Sequence, residues 1–183
     1  LINSVYGKGS TGTIVSNLCA YLNKNDYHCE VFYGYGSTHT DGHLHRLSKN
    51  LYVKFDILKT RLFGKHAFYS KLATKKLIRL LKAYDANLIH IHQVHGHYLN
   101  IPILFGYLES VSVPIIFTMH DAWTLTGHCA SFAFVGCEKW KTGCHHCPQL
   151  RQYPVSLLFD RSKQCWDLKR KYFNQKDYTF ITP

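Results

Sequence analysis

Short apolar runs alternate with helix-spaced apolar patterns along nearly the whole chain, and this alternation restricts the fold more than any other feature. Leu1–Tyr6, Cys29–Tyr33, Leu51–Phe55, Asn87–His92, Pro114–Met119 and Tyr178–Ile181 read as strands. Between them, Ile14, Val15, Leu18, Cys19 and Leu22 share one helix face, as do Ala73, Leu77, Leu80, Leu81 and Tyr84. Further helices are expected from about Asn100 to Ser110, where Pro102 is tolerated in the first turn, and from Ser156 to Asn174. Strands separated by helices form βαβ units, so an α/β fold follows: a parallel sheet, helices on both faces, right-handed crossovers. At 183 residues the chain is expected to form one domain spanning residues 1–183. It starts without Met, inside a strand pattern, and stops after another strand, so it reads as part of a longer chain.

The strand Pro114–Met119 ends in His120 and Asp121. Open α/β sheets place their sites at the carboxyl ends of strands, so His120 is held rigidly yet faces a cleft. Such a histidine suits a base, a ligand for a substrate hydroxyl, or a core histidine bonded to a carbonyl. His90 and His92 alternate on one strand, with His95 and His97 beyond its end. The spacing invites a metal-centre reading, but no neighbouring carboxylate completes it. His90 and His92 are therefore expected to be structural, with His95 bordering the cleft. No G-x-S-x-G elbow is present, so a hydrolase triad lacks its nucleophile.

Beyond this strand lies a loop, residues 128–148, carrying Cys129, Cys137, Cys144 and Cys147. The last pair has the C-x2-C knuckle spacing of a structural zinc site; the other two spacings match no common zinc finger. A zinc ion would order a loop with few aliphatic residues, while disulfides or unligated buried thiols are the bland alternatives. His128, His145 or His146 could replace one thiolate. Cys19, Cys29 and Cys165 fall on helix and strand patterns and read as packing residues. Seven cysteines, an odd number and mostly clustered, argue against a secreted disulfide framework and for a reducing compartment.

Lys and Arg total 22 against 11 Asp and Glu, a net charge of +11 that favours a polyanionic partner. Eight of the basic residues lie in Lys59–Lys82, which has no acidic residue. Lys71, Lys75, Arg79 and Lys82 share one helix face there, either as a solvated outer surface or as a patch resting on anionic lipid headgroups. Near the start, the loop GKGSTG joins strand to helix. Ser10 or Thr11 is expected to cap that helix, and amides at its positive end could hold a phosphate. The spacing is neither the dinucleotide fingerprint nor a P-loop.

The segments VYGKGSTG, HIHQVHGHYLNIPILF, PIIFTMHDAWTLTGHCASF, GCEKWKTGC, CPQL and SLLFDRSK together resemble the N-terminal half of glycosyltransferase family 4 enzymes, in particular the colanic-acid and capsule-type branch. The resemblance implies one Rossmann-like half of a GT-B enzyme, the acceptor-side domain, with the donor-binding C-terminal domain absent. It implies that Gly9, Ser10, Thr11 and Gly12 approach the donor phosphates. It makes His120 the cleft histidine near the transferred sugar, with His95, Gly96, Tyr98, Asp121 and Trp123 bordering the acceptor pocket. Such enzymes retain anomeric configuration, and no D-x-D metal motif is found here, so no catalytic metal is expected.

The partners then expected are a nucleotide-sugar donor, a lipid-linked saccharide acceptor and an anionic membrane surface, with the enzyme cytoplasmic and peripheral on the inner face of the plasma membrane. The family's donor half, with its E-x7-E carboxylates, lies outside the sequence, so the fragment alone is expected to be inactive. The competing reading is a basic zinc module that binds nucleic acid, supported by charge, knuckle and aromatics. Against it, the basic residues spread along amphipathic helices and no nucleic-acid module is recognised. Nucleic acid is therefore not the expected partner.

Overall fold

A computed structural model describes residues 1–39 and 41–182. Its elements, in order, are β1 (Ile2–Asn3), α1 (Gly9–Lys24), β2 (Val31–Tyr33), β3 (Leu44–Arg46), α2 (Asn50–Phe63), α3 (Lys71–Tyr84), β4 (Ile89–Ile91), α4 (Ile101–Ser110), β5 (Ile115–Thr118), a 3-10 turn (Ala133–Val135), α5 (Lys139–Thr142), α6 (Ser162–Phe173) and β6 (Thr179–Ile181). All strand pairs are parallel, in the order β3-β2-β1-β4-β5-β6. This is the doubly wound Rossmann order, and its direction reverses between β1 and β4.

Side chains alternate across a strand, so each strand feeds two cores. Val31 and Tyr33 point toward α1, packing with Val15 and Cys19. Phe32 points the other way, into a larger core that collects Leu77 and Leu81 of α3, Leu104, Phe105 and Leu108 of α4, and Phe173 of α6. Phe105 anchors this layer, stacked on Phe117 of β5 at 5.9 Å and edge-on to Phe173 at 4.8 Å. Helices therefore lie on both faces, as the alternation requires. Asn100 caps α4 by accepting the Ile103 amide at 3.1 Å, with Pro102 in the first turn.

Two local readings are corrected. Leu51–Phe55 is not a strand: it lies in α2, whose buried positions Val53, Asp56 and Thr60 recur at helical spacing. The third strand is instead Leu44–Arg46, just after Gly42 and His43. Second, α1 starts at Gly9 with Lys8 as the N-cap residue and no side-chain cap, because Ser10 and Thr11 already sit in its first turn. No helix among the described residues is long and apolar enough to cross a membrane.

Candidate functional site at the carboxyl edge of the sheet

The chain leaves β1, β4 and β5 at the same edge, around the point where strand order reverses. Ser4 follows β1 and donates to Gln93 Oε1 at 2.5 Å, tying it to the segment after β4. Gly96 makes this approach possible: its φ is +110°, and a Cβ there would lie 2.9 Å from Ser4 Cβ. The turn places Gln93 and His95 beside the end of β5.

His120 follows β5 by two residues and is half-buried. Its ring stacks on His92 at 5.4 Å and 16°, with His92 Nδ1 3.2 Å from His120 Nε2. His92 in turn stacks on His90 at 4.1 Å, and His90 Nε2 lies 2.8 Å from Thr118 Oγ1. Burial, then the neighbouring histidines, push His92 down to about 3; burial brings His90 to about 4. Burial also lowers His120, against the pull of Asp121. At neutral pH the three rings are uncharged, so His120 offers one N–H and one lone pair.

Asp121 turns the other way. Its Oδ1 accepts the Trp123 amide at 2.9 Å, and its Oδ2 accepts from His95 Nε2 at 2.8 Å. Burial works against this carboxylate, but the His95 hydrogen bond, the Trp123 amide and Lys169 outweigh it and hold it below its ordinary value. His95 Nδ1 receives the Tyr153 hydroxyl at 3.2 Å. Together His92, Gln93, His95, Thr118, His120 and Asp121 line a shallow cleft of about 20 Å³.

His120, Asp121 and His95 thus meet as the sequence leads one to expect. Tyr98 and Trp123 do not line the cleft. Tyr98 is fully buried, its hydroxyl given to Gln93 O, and Trp123 is 1% exposed under Lys169. Both hold the cleft from behind, because a large aromatic ring gains more from the core than from a wet surface. Gly96 is buried too, and its amide donates to His66 Nε2 at 3.3 Å.

In the glycine loop, Gly9 and Ser10 are exposed at the uncapped start of α1, Thr11 is half-buried, and Gly12 is buried with a Cβ position 3.1 Å from Val5. Free amides are thus offered by Gly9 to Thr11, while Gly12 serves packing. The four histidines of His90–His97 do not form one centre. His90 and His92 stack toward His120, His95 pairs with Asp121, and His97 Nδ1 donates to buried Asp56 at 2.9 Å.

Three contributors escape sequence reasoning. Gln93 accepts from Ser4 and lies against the His95 ring; its only sequence signal is its place just past a strand. Tyr153 arrives from 58 residues away and carries no local signal. Lys169 looks like part of a mixed-charge helix but is 1% exposed, with its Nζ 2.5 Å from Trp123 O and 3.7 Å from the Trp123 ring centroid. Burial lowers it to about 8.

Two other features flank the site. Cys129, Cys137, Cys144 and Cys147, all free thiols, line one cavity of about 20 Å³ with His128 and His145. Among the described residues no three His, Cys, Asp or Glu side chains are grouped to hold an ion, so the expected zinc set is not preassembled. On the other side, α2 and the start of α3 enclose a groove of about 820 Å³ whose lining includes Arg46, Lys49, Lys59, Lys71 and Lys76. Leu51, Tyr52, Phe55 and Leu58 of α2 and Leu72 of α3 are all more than half exposed around it.

The strand-reversal cleft and its uncharged histidine lie where a doubly wound, Rossmann-like sheet places its ligand site. The family model described as Glycosyltransferase Family 4 matches residues 11–162, and the chain belongs to that family. It is similar, at 38% identity over 92 residues, to the putative colanic acid biosynthesis glycosyl transferase WcaC of Escherichia coli (strain K12). That match covers 48% of this chain and 22% of the relative, so the chain spans a minor part of its length. No solved structure matches it.

Proposed function

We propose that this chain is the acceptor-side half of a retaining glycosyltransferase that moves a hexose from a nucleotide-sugar to a lipid-linked saccharide during surface-polysaccharide assembly. The observation that carries this reading is the uncharged, half-buried His120 at the end of β5, aligned by His92. Its ring can hydrogen-bond a sugar hydroxyl without placing a positive charge beside the charge that develops on the sugar in the transition state. His120 orients and stabilises more than it removes a proton; in the same-face displacement used by such enzymes, the departing phosphate takes the acceptor's proton.

Asp121, through His95, fixes the opposite wall. The Gly9–Thr11 amides meet the donor phosphates at the positive end of α1. The donor itself is held by a further domain, so residues 1–183 alone release no product. No metal takes part in the transfer.

The α2–α3 surface faces the cytoplasmic leaflet. Exposed Leu51, Phe55 and Leu72 lie among Lys49, Lys54, Lys59, Lys71 and Lys75, and each basic residue near an anionic bilayer is worth about 1 kcal/mol. The groove between the helices is where the acceptor's diphosphate arrives. The complete protein, given nucleotide-sugars and a lipid-linked acceptor, should move labelled sugar into the lipid fraction and sediment with anionic but not zwitterionic vesicles. No transfer across a panel of donors would defeat the reading; equal sedimentation with both vesicle types would defeat its membrane part.

A further inference from the structure

We infer that Cys129, Cys137, Cys144 and Cys147 bind one zinc ion as four thiolates and that the ion ties the loop after β5 to the start of α6. The four residues come from three separate turns, yet all face one cavity of about 20 Å³, room for a single small body. Two buried nitrogens on side chains of that wall, His128 Nε2 and the N–H of Trp140 Nε1, have no hydrogen-bond partner. Buried polar atoms are nearly always paired. A metal-bound thiolate supplies an acceptor for the Trp140 N–H, as groups around a bound zinc commonly do.

The loop also has little apolar core of its own. Neither the 3-10 turn nor α5 contains a buried residue, and Phe134 is 90% exposed. Beside the Phe132–Trp140 stack and the Trp166 bond to Trp140 O, part of its order is gathered around the same cysteines. The Gly127 amide donates to Cys144 Sγ at 3.1 Å, and the Cys147 amide to Asp160 Oδ2 at 2.7 Å. Asp160 Oδ1 accepts the Ser162 amide at 2.8 Å, at the first residue of α6.

A cavity with four thiols and no carboxylate on its wall selects a soft, tetrahedral ion, zinc rather than magnesium or calcium. Cys129 and Cys147 already share a side-chain hydrogen bond. Binding releases four protons to solvent, forms four Zn–S bonds and closes the sulfurs onto one point by side-chain rotation. The inference rests on these side chains and not on the sugar-transfer reading.

Elemental analysis of the purified full chain should find about one zinc per chain, and serine at any one of the four positions should lower that content severalfold. Because such variants can misfold, cobalt titration of the unaltered protein provides a second reading. Intense thiolate-to-cobalt charge-transfer bands with tetrahedral d–d bands are expected. Their absence, or a metal-free protein whose mass shows two or four missing hydrogens from disulfides, would overturn the assignment. His128→Ala should keep the metal content unchanged; loss of the ion in that variant would refute the four-thiolate set.

Discussion

The cleft edge and the cysteine loop are neighbours in sequence but are held by opposite means. Residues 119–123 continue a strand whose Ile115 and Phe117 are buried in the main core, and Trp123 beneath them is 1% exposed. No residue in 133–142 is fully buried. A site built on strand ends inherits its precision from the sheet, whereas the loop has little buried surface to hold it. The comparison predicts that perturbing the packing behind the edge costs stability and perturbing the edge itself costs turnover.

Lys169→Ala should have the largest structural effect. It removes the buried bond to Trp123 O and the cation over the indole, and it leaves a cavity, for a loss of about 3 kcal/mol. Denaturant unfolding measures it; a loss below about 1 kcal/mol would mean the edge is not braced from α6.

Asp121→Asn keeps an acceptor for the Trp123 amide but removes the charge facing His95. Turnover of the complete protein should fall about tenfold with the melting temperature nearly unchanged. A large thermal shift would reassign Asp121 from the cleft to the scaffold.

Acid should destabilise the edge in a defined window. His92, buried and held at about 3, refuses protons that the unfolded chain accepts below roughly pH 6.5. Its contribution is complete above that pH and falls by about 1.4 kcal/mol per pH unit on acidification toward its folded value. His90, held at about 4, adds in the same direction, discounted because it is partly exposed. Thermal unfolding at pH 7 and pH 5 checks this, and equal midpoints would show that the ladder is not kept neutral.

Gly9→Val should have the smallest effect. A Cβ there meets nothing within 4 Å, so only the backbone at φ +67° resists it. The strain is about 1–2 kcal/mol, and crowding of the amides should weaken donor binding several-fold in the complete protein. Unaltered donor affinity would reduce this loop to a turn.

Much of this was legible because it is periodic or local. The apolar alternation carries the parallel sheet, and a strand running into His120 and Asp121 marks the cleft. What failed was local chemistry overridden by tertiary context. Leu51–Phe55 looks like a strand because Leu51, Tyr52 and Phe55 are apolar, but these three face outward from a helix. Leu44–Arg46 hides between glycines and histidines, and pairing with β2 makes it a strand. Tyr98 and Trp123 read as pocket residues from their place after a strand, yet both rings are buried, since spacing does not say which side of a turn a ring takes. Tyr153 and Lys169 reach the site only through folding.

The central claim is that sugar transfer depends on His120 as an uncharged partner at the end of β5. The direct measurement is turnover of the complete protein carrying His120→Ala, with donor and lipid-linked acceptor both saturating and thermal unfolding recorded on the same preparation. We expect at least a ~100-fold fall in kcat with an unchanged melting temperature. Wild-type turnover in that variant would contradict the account.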